Sequence, residues 1–449
     1  FWGIIFLIFG PVRLSADSSA CIAQSLDYYP INNTHPVYYT MLIGAFLRFG
    51  QMLGNISIGA YLFGFCQMSF MAGVVSFLLY KMHCYGSPKI LLALSFLYYT
   101  LTPVFGINAI TMWKDIPFSA CLVLLMLTLY KQVQTKGALL KTNKGLVEFS
   151  VLCFVTCFLR GNGKYIVLLC LVAVLIVYIK DWKRLLVAFV PLMIVVQLIQ
   201  GPFYTYKDYY NRGNVEMAAV PIQQVVRSIN NGAKVTAEQK VFLEKIIPFE
   251  SMKRDYMDYA VDFIMYSKDF DIEFFNANTK EFLQIWLDLA PENANHYFDA
   301  WRELTHGYWQ IDVKGNTCCL EEDFNGYADI HYQDLIKRFT GISLWQNLAE
   351  RTQFFSMGSM ALFTLFTFAV LLYKKVWRYC LALLPLLLTW AMLLVSAPTE
   401  LAFRYMFCVA LGLPFVVFML FSNPAKTKEN TENIAKKSTE KTETVTENI

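Results

Sequence analysis

Residues Val37–Leu53 read VYYTMLIGAFLRFGQML, and this stretch decides how the chain threads a membrane. It is apolar and almost long enough to span a bilayer, but Arg48 lies near its middle. If the stretch crossed, Lys81 and Lys89 would lie outside, and every later loop would change sides. The pattern therefore predicts an amphipathic helix that lies on the outer membrane surface.

The composition indicates a multi-pass membrane protein. Hydrophobic residues make up 56% of the sequence and charged residues 16%, whereas soluble proteins average about 25% charged residues. The net charge of +4 follows from loop lysines and does not indicate a nucleic-acid partner. Most of the 11 cysteines lie in apolar runs, so we expect no disulfide framework. We expect free thiols at the adjacent Cys318 and Cys319, with a strained bridge between the two as the alternative.

Charges in the loops orient the apolar segments, because the basic groups between them can all face the cytoplasm at once. The segments of helical length are Ile56–Tyr80, Ile90–Ile110, Phe118–Tyr130, Val147–Leu159, Tyr165–Ile179, Leu185–Ile199, Phe354–Tyr373, Tyr379–Val395 and Leu401–Phe421. Phe1–Val12 would be a truncated first span, with a signal peptide cut near Ala20 as the alternative. We expect an all-α polytopic membrane protein with about ten transmembrane helices and its N-terminus inside.

The chain divides into four parts. Residues 1–200 form a transmembrane module with a first outer loop at 14–53, and residues 201–351 form a mostly helical outer domain. Residues 352–421 hold the last three transmembrane helices. Residues 422–449 are rich in Lys, Glu, Thr and Asn, so we expect a disordered cytoplasmic tail. The absence of a sustained internal repeat argues against a secondary transporter.

Two residues of the first outer loop could carry chemistry. Asp17 lies just past the first span, where a carboxylate can act as a general base or bind a metal. The alternative is that it caps a helix over Ala20–Leu26. His35, before Pro36, could orient a substrate or the base, or be a surface histidine at a turn. No second histidine stands at a zinc-ligand spacing from it.

The second outer loop places a Lys–Asp pair directly before a span. Lys114 could bind a phosphate, while Asp115 could orient Lys114, the acceptor or a divalent cation, Mg²⁺ or Mn²⁺. The alternative is that Asp115 only stabilises the helix N-terminus electrostatically. The neighbouring Trp113 belongs at a membrane interface in either case.

Basic residues also lie at two later outer turns. Arg160 and Lys164 flank a glycine-containing turn that could approach a ligand closely, or they could simply be snorkelling cations. Arg404, beside Tyr405, lies about one turn inside the last span. Its guanidinium suits a lipid phosphate or diphosphate, and the alternative is an ion pair with Glu400.

In the outer domain, amides and aromatic rings occur together, as they do where sugars bind. The residues concerned are Gln223, Gln224, Tyr308 and Trp309. The amides would bind hydroxyl groups, and the rings would cover the C–H faces of a sugar. The alternative is that these side chains serve ordinary packing within the domain.

In this order, these features resemble the GT-C glycosyltransferase superfamily, polytopic enzymes that use a polyprenyl-phosphate-linked sugar. In that superfamily an acidic residue follows the first span and a His-Pro precedes a membrane-parallel helix, as do Asp17, His35 and Val37–Leu53. Asp115 matches a second acidic residue at the start of the fourth span, and Arg404 matches a basic residue beside Tyr in a late span. A single Pro follows His35, where mannosyltransferase-like members often have two.

The chain also resembles an uncharacterised family of Firmicute membrane proteins that share this architecture. The matching marks, in order, are Asp17-Ser18, Asn33–Pro36, Trp113–Pro117, Arg160–Gly163, Pro221–Arg227 and Gly307–Trp309. The resemblance spans most of the chain except the tail. It implies a transferase fold and leaves the donor sugar and the acceptor unassigned.

Together, the residues and the resemblance predict an outward-facing glycosyltransferase of the bacterial plasma membrane. It would move a sugar from a polyprenyl-phosphate carrier to a cell-surface glycan, a teichoic acid or a protein. Asp17 would accept the proton of the acceptor hydroxyl, helped by His35 and Asp115, and a single base suits inversion. The donor phosphate would lie among Lys114, Arg160, Lys164, Arg404 and Tyr405.

Three other functions stay open on the sequence alone. One is a transporter or flippase of a lipid-linked saccharide, which needs ionisable residues along a path to the cytoplasm; the spans lack charge at mid-depth. The second is a polymerase or ligase of an envelope glycan. The third is a non-catalytic scaffold, in which Asp17, Asp115 and Arg404 could all be changed without loss of function.

Overall fold

The computed structural model of the chain describes residues 1–209, 213, 215–311, 327–342, 356–400 and 402–422. Cys318, Cys319 and residues 423–449 of the tail lie outside these ranges, so the expectations for them stay predictions. Regular structure in the described part is helical, and β-type pairing is limited to isolated bridges such as Arg13 with Thr111. The predicted all-α class is confirmed.

The helices are numbered in chain order over the described ranges. They are α1 (Trp2–Phe9), α2 (Ala16–Ser25), α3 (Val37–Met52), α4 (Ile56–Cys84), α5 (Lys89–Leu101), α6 (Pro103–Ile110), α7 (Asp115–Gln134), α8 (Ala138–Lys141), α9 (Asn143–Leu159), α10 (Gly163–Val177), α11 (Trp182–Leu198), α12 (Tyr204–Tyr206), α13 (Ala219–Asn230), α14 (Ala237–Ile246), α15 (Phe249–Asp255), α16 (Asp262–Met265), α17 (Ile272–Ala277), α18 (Thr279–Leu289), α19 (Ala294–Thr305), α20 (Leu335–Thr340), α21 (Met357–Tyr373), α22 (Cys380–Ser396) and α23 (Phe403–Phe421). Short 3₁₀ turns lie at Ile179–Asp181, Val215–Ala218, His306–Tyr308 and Trp377–Tyr379, and a π-helical turn at Ile199–Phe203.

Several helices are long and apolar enough to cross a membrane, which makes the chain a multi-pass membrane protein. The five long ones are Ile56–Cys84, Asp115–Gln134, Ile179–Tyr206, Trp377–Ser396 and Phe403–Phe421. A sixth candidate is the pair α5 and α6, which is bent by 54° at its break. Pro103 lies at the first turn of α6, where it cannot continue the hydrogen-bond ladder of α5.

The predicted number of ten spans is not confirmed. The apolar helices α10 and α21 have 15 and 17 residues, so at 1.5 Å per residue they reach about 22 and 25 Å. A typical hydrocarbon core is about 30 Å thick. The structure therefore shows five or six helices of spanning length, accompanied by shorter apolar ones.

Helix α7 is the centre of the largest hydrophobic core. Most of its residues are buried, because α4, α9, α22 and α23 all pack against it. A second core lies in the helical region Val215–Tyr297, where α13, α18 and α19 pack together. A third, smaller core joins α2, α3 and α4. The fold thus has a membrane bundle with a helical region beside it.

Helix α3 has 16 residues and is about 24 Å long. Tyr39, Ile43 and Leu47 on one face are buried against α2 and α4. Arg48 donates hydrogen bonds to the Ser25 carbonyl oxygen at the end of α2, from Nη2 at 3.0 Å and Nε at 3.3 Å. This arginine therefore secures α3 to the preceding helix.

The contact of α3 with α4 depends on glycines at the crossing point. A Cβ atom added to Gly59 would lie 2.2 Å from the Phe46 carbonyl oxygen and 2.9 Å from the Leu47 Cα atom. Both neighbours belong to the backbone of α3, so they cannot move away by a change of rotamer. Gly73, farther along α4, has no atom within 4 Å of the same added position.

We expect Gly59→Ala to destabilise the protein by about 1–3 kcal/mol, because the methyl group would push α3 and α4 apart. Gly73→Ala is the matched control, and alanine there should be neutral or stabilise α4 by up to about 1 kcal/mol. Chemical unfolding in detergent micelles, followed by circular dichroism, measures both changes. Equal stabilities of the two variants would contradict this close contact.

Candidate functional site

Backbone pairing brings the segment before α2 against the turn before α7. The Arg13 amide donates to the Ile110 carbonyl oxygen at 3.0 Å, and the Met112 amide donates to the Arg13 carbonyl oxygen at 2.9 Å. The Ser18 hydroxyl donates to the Met112 carbonyl oxygen at 2.8 Å. This pairing aligns the start of α2 with the residues that begin α7.

Ser15, and not Asp17, caps the N-terminus of α2. Ser15 is the N-cap of α2, and its hydroxyl accepts a hydrogen bond from the Ser18 amide in a capping box. The indole N–H of Trp113 also donates to the Ser15 hydroxyl. Asp17 lies in the first turn of α2, so the alternative that Asp17 caps a later helix is wrong.

Asp17 forms the first of two ion-pair groups. Its Oδ2 atom lies 3.1 Å from the Lys114 Nζ atom and 3.1 Å from the Arg404 Nη1 atom. The Lys114 ammonium also lies 2.9 Å from His35 Nδ1. Three separated parts of the chain thus meet around one carboxylate.

Asp115 forms the second group with Arg160, whose Nη1 atom lies 3.1 Å from Asp115 Oδ1. The Asp115 side chain is only 1% exposed, and neither of its oxygens accepts a hydrogen bond of good geometry from the described residues. A buried carboxylate without such donors is costly. Its charge is balanced by the ion pair with Arg160 and, more weakly, by the nearby Lys114 ammonium.

The Tyr405 ring joins the two groups. The guanidinium of Arg160 lies 4.2 Å from the ring centroid, and that of Arg404 lies 5.0 Å from it. The cations Lys114, Arg160 and Arg404 outnumber the carboxylates Asp17 and Asp115 by one. We call these six residues and His35 the charged cluster, and it carries one net positive charge when His35 is neutral.

Burial alone would raise the pKa of the Asp17 carboxyl, but Lys114 and Arg404 outweigh it and hold that pKa well below its usual range. For Lys114, burial would lower the pKa, but Asp17 and Asp115 raise it above its usual value. Both groups are therefore ionised at neutral pH. In this state Asp17 is a firmly held counter-ion.

Burial, together with Lys114, lowers the pKa of His35 to about 4. The imidazole is therefore neutral at physiological pH. An ammonium group can only donate hydrogen bonds, so His35 Nδ1 must accept from Lys114. The ring proton consequently resides on Nε2, which is left to donate to another group.

Tyr308 fixes the backbone segment that precedes Arg404. The Tyr308 hydroxyl donates to the Thr399 carbonyl oxygen at 2.7 Å and accepts from the Ala402 amide at 3.4 Å. Glu400 contacts His306, with 3.1 Å between Oε2 and Nδ1. The sequence left open an ion pair between Glu400 and Arg404 within one helix. Glu400 lies before the start of α23 at Phe403, and Arg404 contacts Asp17 instead.

The other predicted binding residues have different surroundings. Lys164 lies over the Tyr165 ring at 5.1 Å and has no carboxylate within ion-pair distance in the described chain. Gln223 donates to the Met257 carbonyl oxygen at 2.7 Å and Gln224 to that of Tyr297 at 3.0 Å. These contacts give the two amides a packing role, and their role in acceptor binding stays a prediction.

The aromatic residues predicted to bind an acceptor also have structural contacts. Tyr308 is fully buried behind Arg404. Trp309 stacks on Trp301 with 5.7 Å between ring centroids, and its indole donates to Thr305 Oγ1 at 3.1 Å. In the described chain these four side chains do not join the ion pairs of the charged cluster.

The predicted divalent cation at Asp115 does not fit the residues around it. No group of three or more His, Cys, Asp or Glu side chains that could hold a metal lies in the described part of the chain. The nearest ion-pair partner of Asp115 is the cation Arg160, which would repel a metal. No step of the chemistry below is therefore assigned to a metal.

Sequence reasoning missed a cavity beside His35. The cavity has a volume of about 390 Å³ and lies between the segment around α2 and the residues that follow α16. Gln24, Asn32, Thr34 and His35 line one side. Tyr266 and Phe270 line the other side. No spacing signal marks this cavity, because its two walls are more than 200 residues apart in the chain.

The stability of the protein should fall as the pH falls from about 6.5 to about 4. In this window the unfolded chain protonates His35 while the folded protein keeps it neutral, so the unfolded state binds more protons. His35→Gln should make the decline in the free energy of unfolding shallower. His83→Gln, at an exposed position of α4, should leave it as in the wild type. Identical slopes for His35→Gln and wild type would refute this burial of His35.

Comparison with known proteins gives a family but no activity. No curated protein and no solved structure matches the chain. A family model matches residues 27–440, a range that begins after Asp17 and includes the other residues of the charged cluster. The chain belongs to this family of unknown function, DUF6020.

Proposed function

We propose that the protein is a glycosyltransferase of the GT-C type that uses a lipid-linked sugar. It would move the sugar from a polyprenyl-phosphate carrier in the bacterial plasma membrane to an acceptor of the cell envelope. The observation that carries this proposal is the charged cluster, in which buried acids and bases from distant loops meet at one end of the bundle. Ionisable groups at a membrane boundary are costly and mark functional sites.

The cations of the charged cluster suit a phosphate. Lys114, Arg160 and Arg404 are each less than one fifth exposed, so their charge is weakly screened by water. Planar guanidinium groups bind phosphate oxygens in pairs. The two guanidinium groups and the Lys114 ammonium can stabilise the negative charge that develops on a leaving phosphate, and such stabilisation is commonly the largest catalytic term.

In the proposed reaction, the acceptor hydroxyl oxygen attacks the anomeric carbon of the sugar, opposite the phosphate. A new C–O bond forms as the bond between the anomeric carbon and the phosphate oxygen breaks, and its electron pair leaves with the polyprenyl phosphate. The hydroxyl proton passes to Asp17. One carboxylate suffices for this inverting displacement, whereas retention would require a second one as nucleophile.

Donor binding would activate Asp17 as the base. Without the donor, Lys114 and Arg404 hold the Asp17 carboxylate, and its low pKa makes it a weak proton acceptor. A donor phosphate between the same cations would compete for their charge. The pKa of Asp17 would then rise toward its ordinary value, and the base would become effective only beside bound substrate.

The distribution of charge supports an outward-facing site. Along α7, Asp115 and Lys131 lie at opposite ends, about 24 Å apart at 1.5 Å per residue. Lys131 belongs to the basic clusters that the positive-inside rule places in the cytoplasm. The proposal therefore keeps the charged cluster outside, the C-terminal tail inside and, with the shorter apolar helices counted, about ten spans.

A flippase of the same lipid-linked saccharide is a weaker alternative. It would require acidic or basic side chains along a path between the two faces. Helix α22 has no Asp, Glu, Lys or Arg, and α23 has only Arg404 near its start. In the described chain, the central helices therefore offer charge at their ends and not between them.

Replacing Asp17 by Asn should reduce sugar transfer by about 100-fold or more, since a general base contributes roughly 10²–10⁴-fold. The assay measures transfer of labelled sugar from polyprenyl phosphate in membranes to envelope material, at matched expression. Asp27→Asn is the control, because Asp27 is a carboxylate of the same loop that is 76% exposed and pairs with Arg48.

The two variants give a clear contrast. Transfer by wild type and Asp27→Asn, but not by Asp17→Asn, supports the mechanism. Equal transfer by all three would remove Asp17 from it. A wild-type protein that moves no label, although the donor is present and the protein is folded, would argue against a transferase.

A further inference from the structure

The cavity beside His35 has the size and position of a second substrate site. Its volume of about 390 Å³ falls in the usual range of ligand pockets, roughly 300–1,000 Å³. His35 belongs both to the wall of this cavity and to the charged cluster, where it contacts Lys114 at 2.9 Å. A molecule in the cavity would therefore lie next to the groups assigned to the chemistry.

The cavity wall combines neutral polar groups with aromatic rings. Among the described residues that line it, none is Asp, Glu, Lys or Arg. One side offers the amides of Gln24 and Asn32 and the hydroxyl of Thr34, and the other offers the rings of Tyr266 and Phe270. Amides and hydroxyls exchange hydrogen bonds with hydroxyl groups, and aromatic rings cover apolar C–H faces.

The polar side is held in place by its own hydrogen bonds. Gln24 Oε1 accepts a hydrogen bond from the backbone N–H of Asn32 at 3.2 Å, and Asn32 Oδ1 accepts one from the backbone N–H of Thr34 at 3.1 Å. No hydrogen bond to another described residue uses Gln24 Nε2, Asn32 Nδ2 or the Thr34 hydroxyl. These groups are thus preorganised and free to bind a ligand.

We infer that this cavity binds the acceptor of the proposed transferase, and that the acceptor is a neutral, hydroxyl-rich glycan. This inference rests on the proposed function. A teichoic acid or another polyanion would require cations in the wall, and the described lining residues include no Lys or Arg. His35 Nε2–H can donate to an acceptor oxygen, while Nδ1 accepts from Lys114 beside Asp17.

Direct binding tests the cavity without requiring turnover. The full-length protein in lipid nanodiscs is titrated with fluorescent maltohexaose and chitohexaose, and fluorescence anisotropy is measured. Wild type should bind at least one of the two saturably, and Tyr266→Ala should weaken this binding about tenfold or more. Tyr28→Ala is the control, because Tyr28 lies in the loop that carries Asn32 and Thr34, is 62% exposed and is not among the residues that line the cavity.

A second variant guards against misfolding. Thr34→Val is nearly isosteric and removes only the hydroxyl group, so it should weaken binding while helicity and elution behaviour stay as in wild type. Unchanged affinity in both Tyr266→Ala and Thr34→Val would overturn the assignment. Tighter binding of a glycerol-phosphate oligomer than of both neutral hexamers would also overturn it.

Kinetics separate this inference from the proposed function. If transfer occurs, Tyr266→Ala should raise the KM for the acceptor and retain most of kcat, while Asp17→Asn should lower kcat and leave hexamer binding intact. Transfer with an unchanged acceptor KM in Tyr266→Ala would sink the cavity assignment alone. If wild type binds a hexamer, Tyr266→Ala does not, and no transfer occurs, the glycan site would be supported and the transferase contradicted.

Discussion

The structure depends on the need to neutralise charges that are largely withdrawn from water. Asp17 would be unstable as an isolated buried carboxylate, and Lys114 and Arg404 would be equally unstable as isolated cations. Their mutual contacts at 3.1 Å satisfy all three at once. Because Lys114 and Arg404 lie 97 and 387 positions from Asp17 along the chain, the cluster forms only when the first segment, α7 and α23 are all in place.

Hydrogen bonds from neutral side chains fix the backbone that carries the charged cluster. The amide of Gln67 in α4 donates to the carbonyl oxygens of Ala109 and Thr111, at 3.0 and 2.7 Å, and so fixes the turn before α7. On the other side, Tyr308 holds the backbone before Arg404. Buried polar groups with satisfied hydrogen bonds rigidify a structure. The charged side chains are therefore presented on a backbone that is anchored on both sides.

The sequence predicted the membrane class, the short helix α3 and the residues of the charged cluster, because charge in an apolar setting is visible in one dimension. It could not predict partners. Lys114 is adjacent to Asp115 in the chain, yet it contacts Asp17, while Asp115 pairs with Arg160. Partner choice depends on the rotation and packing of helices. The cavity beside His35 escaped prediction for the same reason, since its walls meet only in three dimensions.

Under the proposed function, one net positive charge in the cluster would be a compromise between the stability of the free protein and phosphate binding. A cluster with no net charge would make the ligand-free protein more stable but would attract a phosphate only weakly. Additional cations would instead repel one another at low dielectric. Arg160 and Arg404 both lie against the Tyr405 ring, which lowers the cost of keeping two guanidinium groups close. In the proposed transferase, a donor phosphate would replace Tyr405 and Asp17 as the partner of these cations, and the same displacement would release the Asp17 carboxylate for proton transfer.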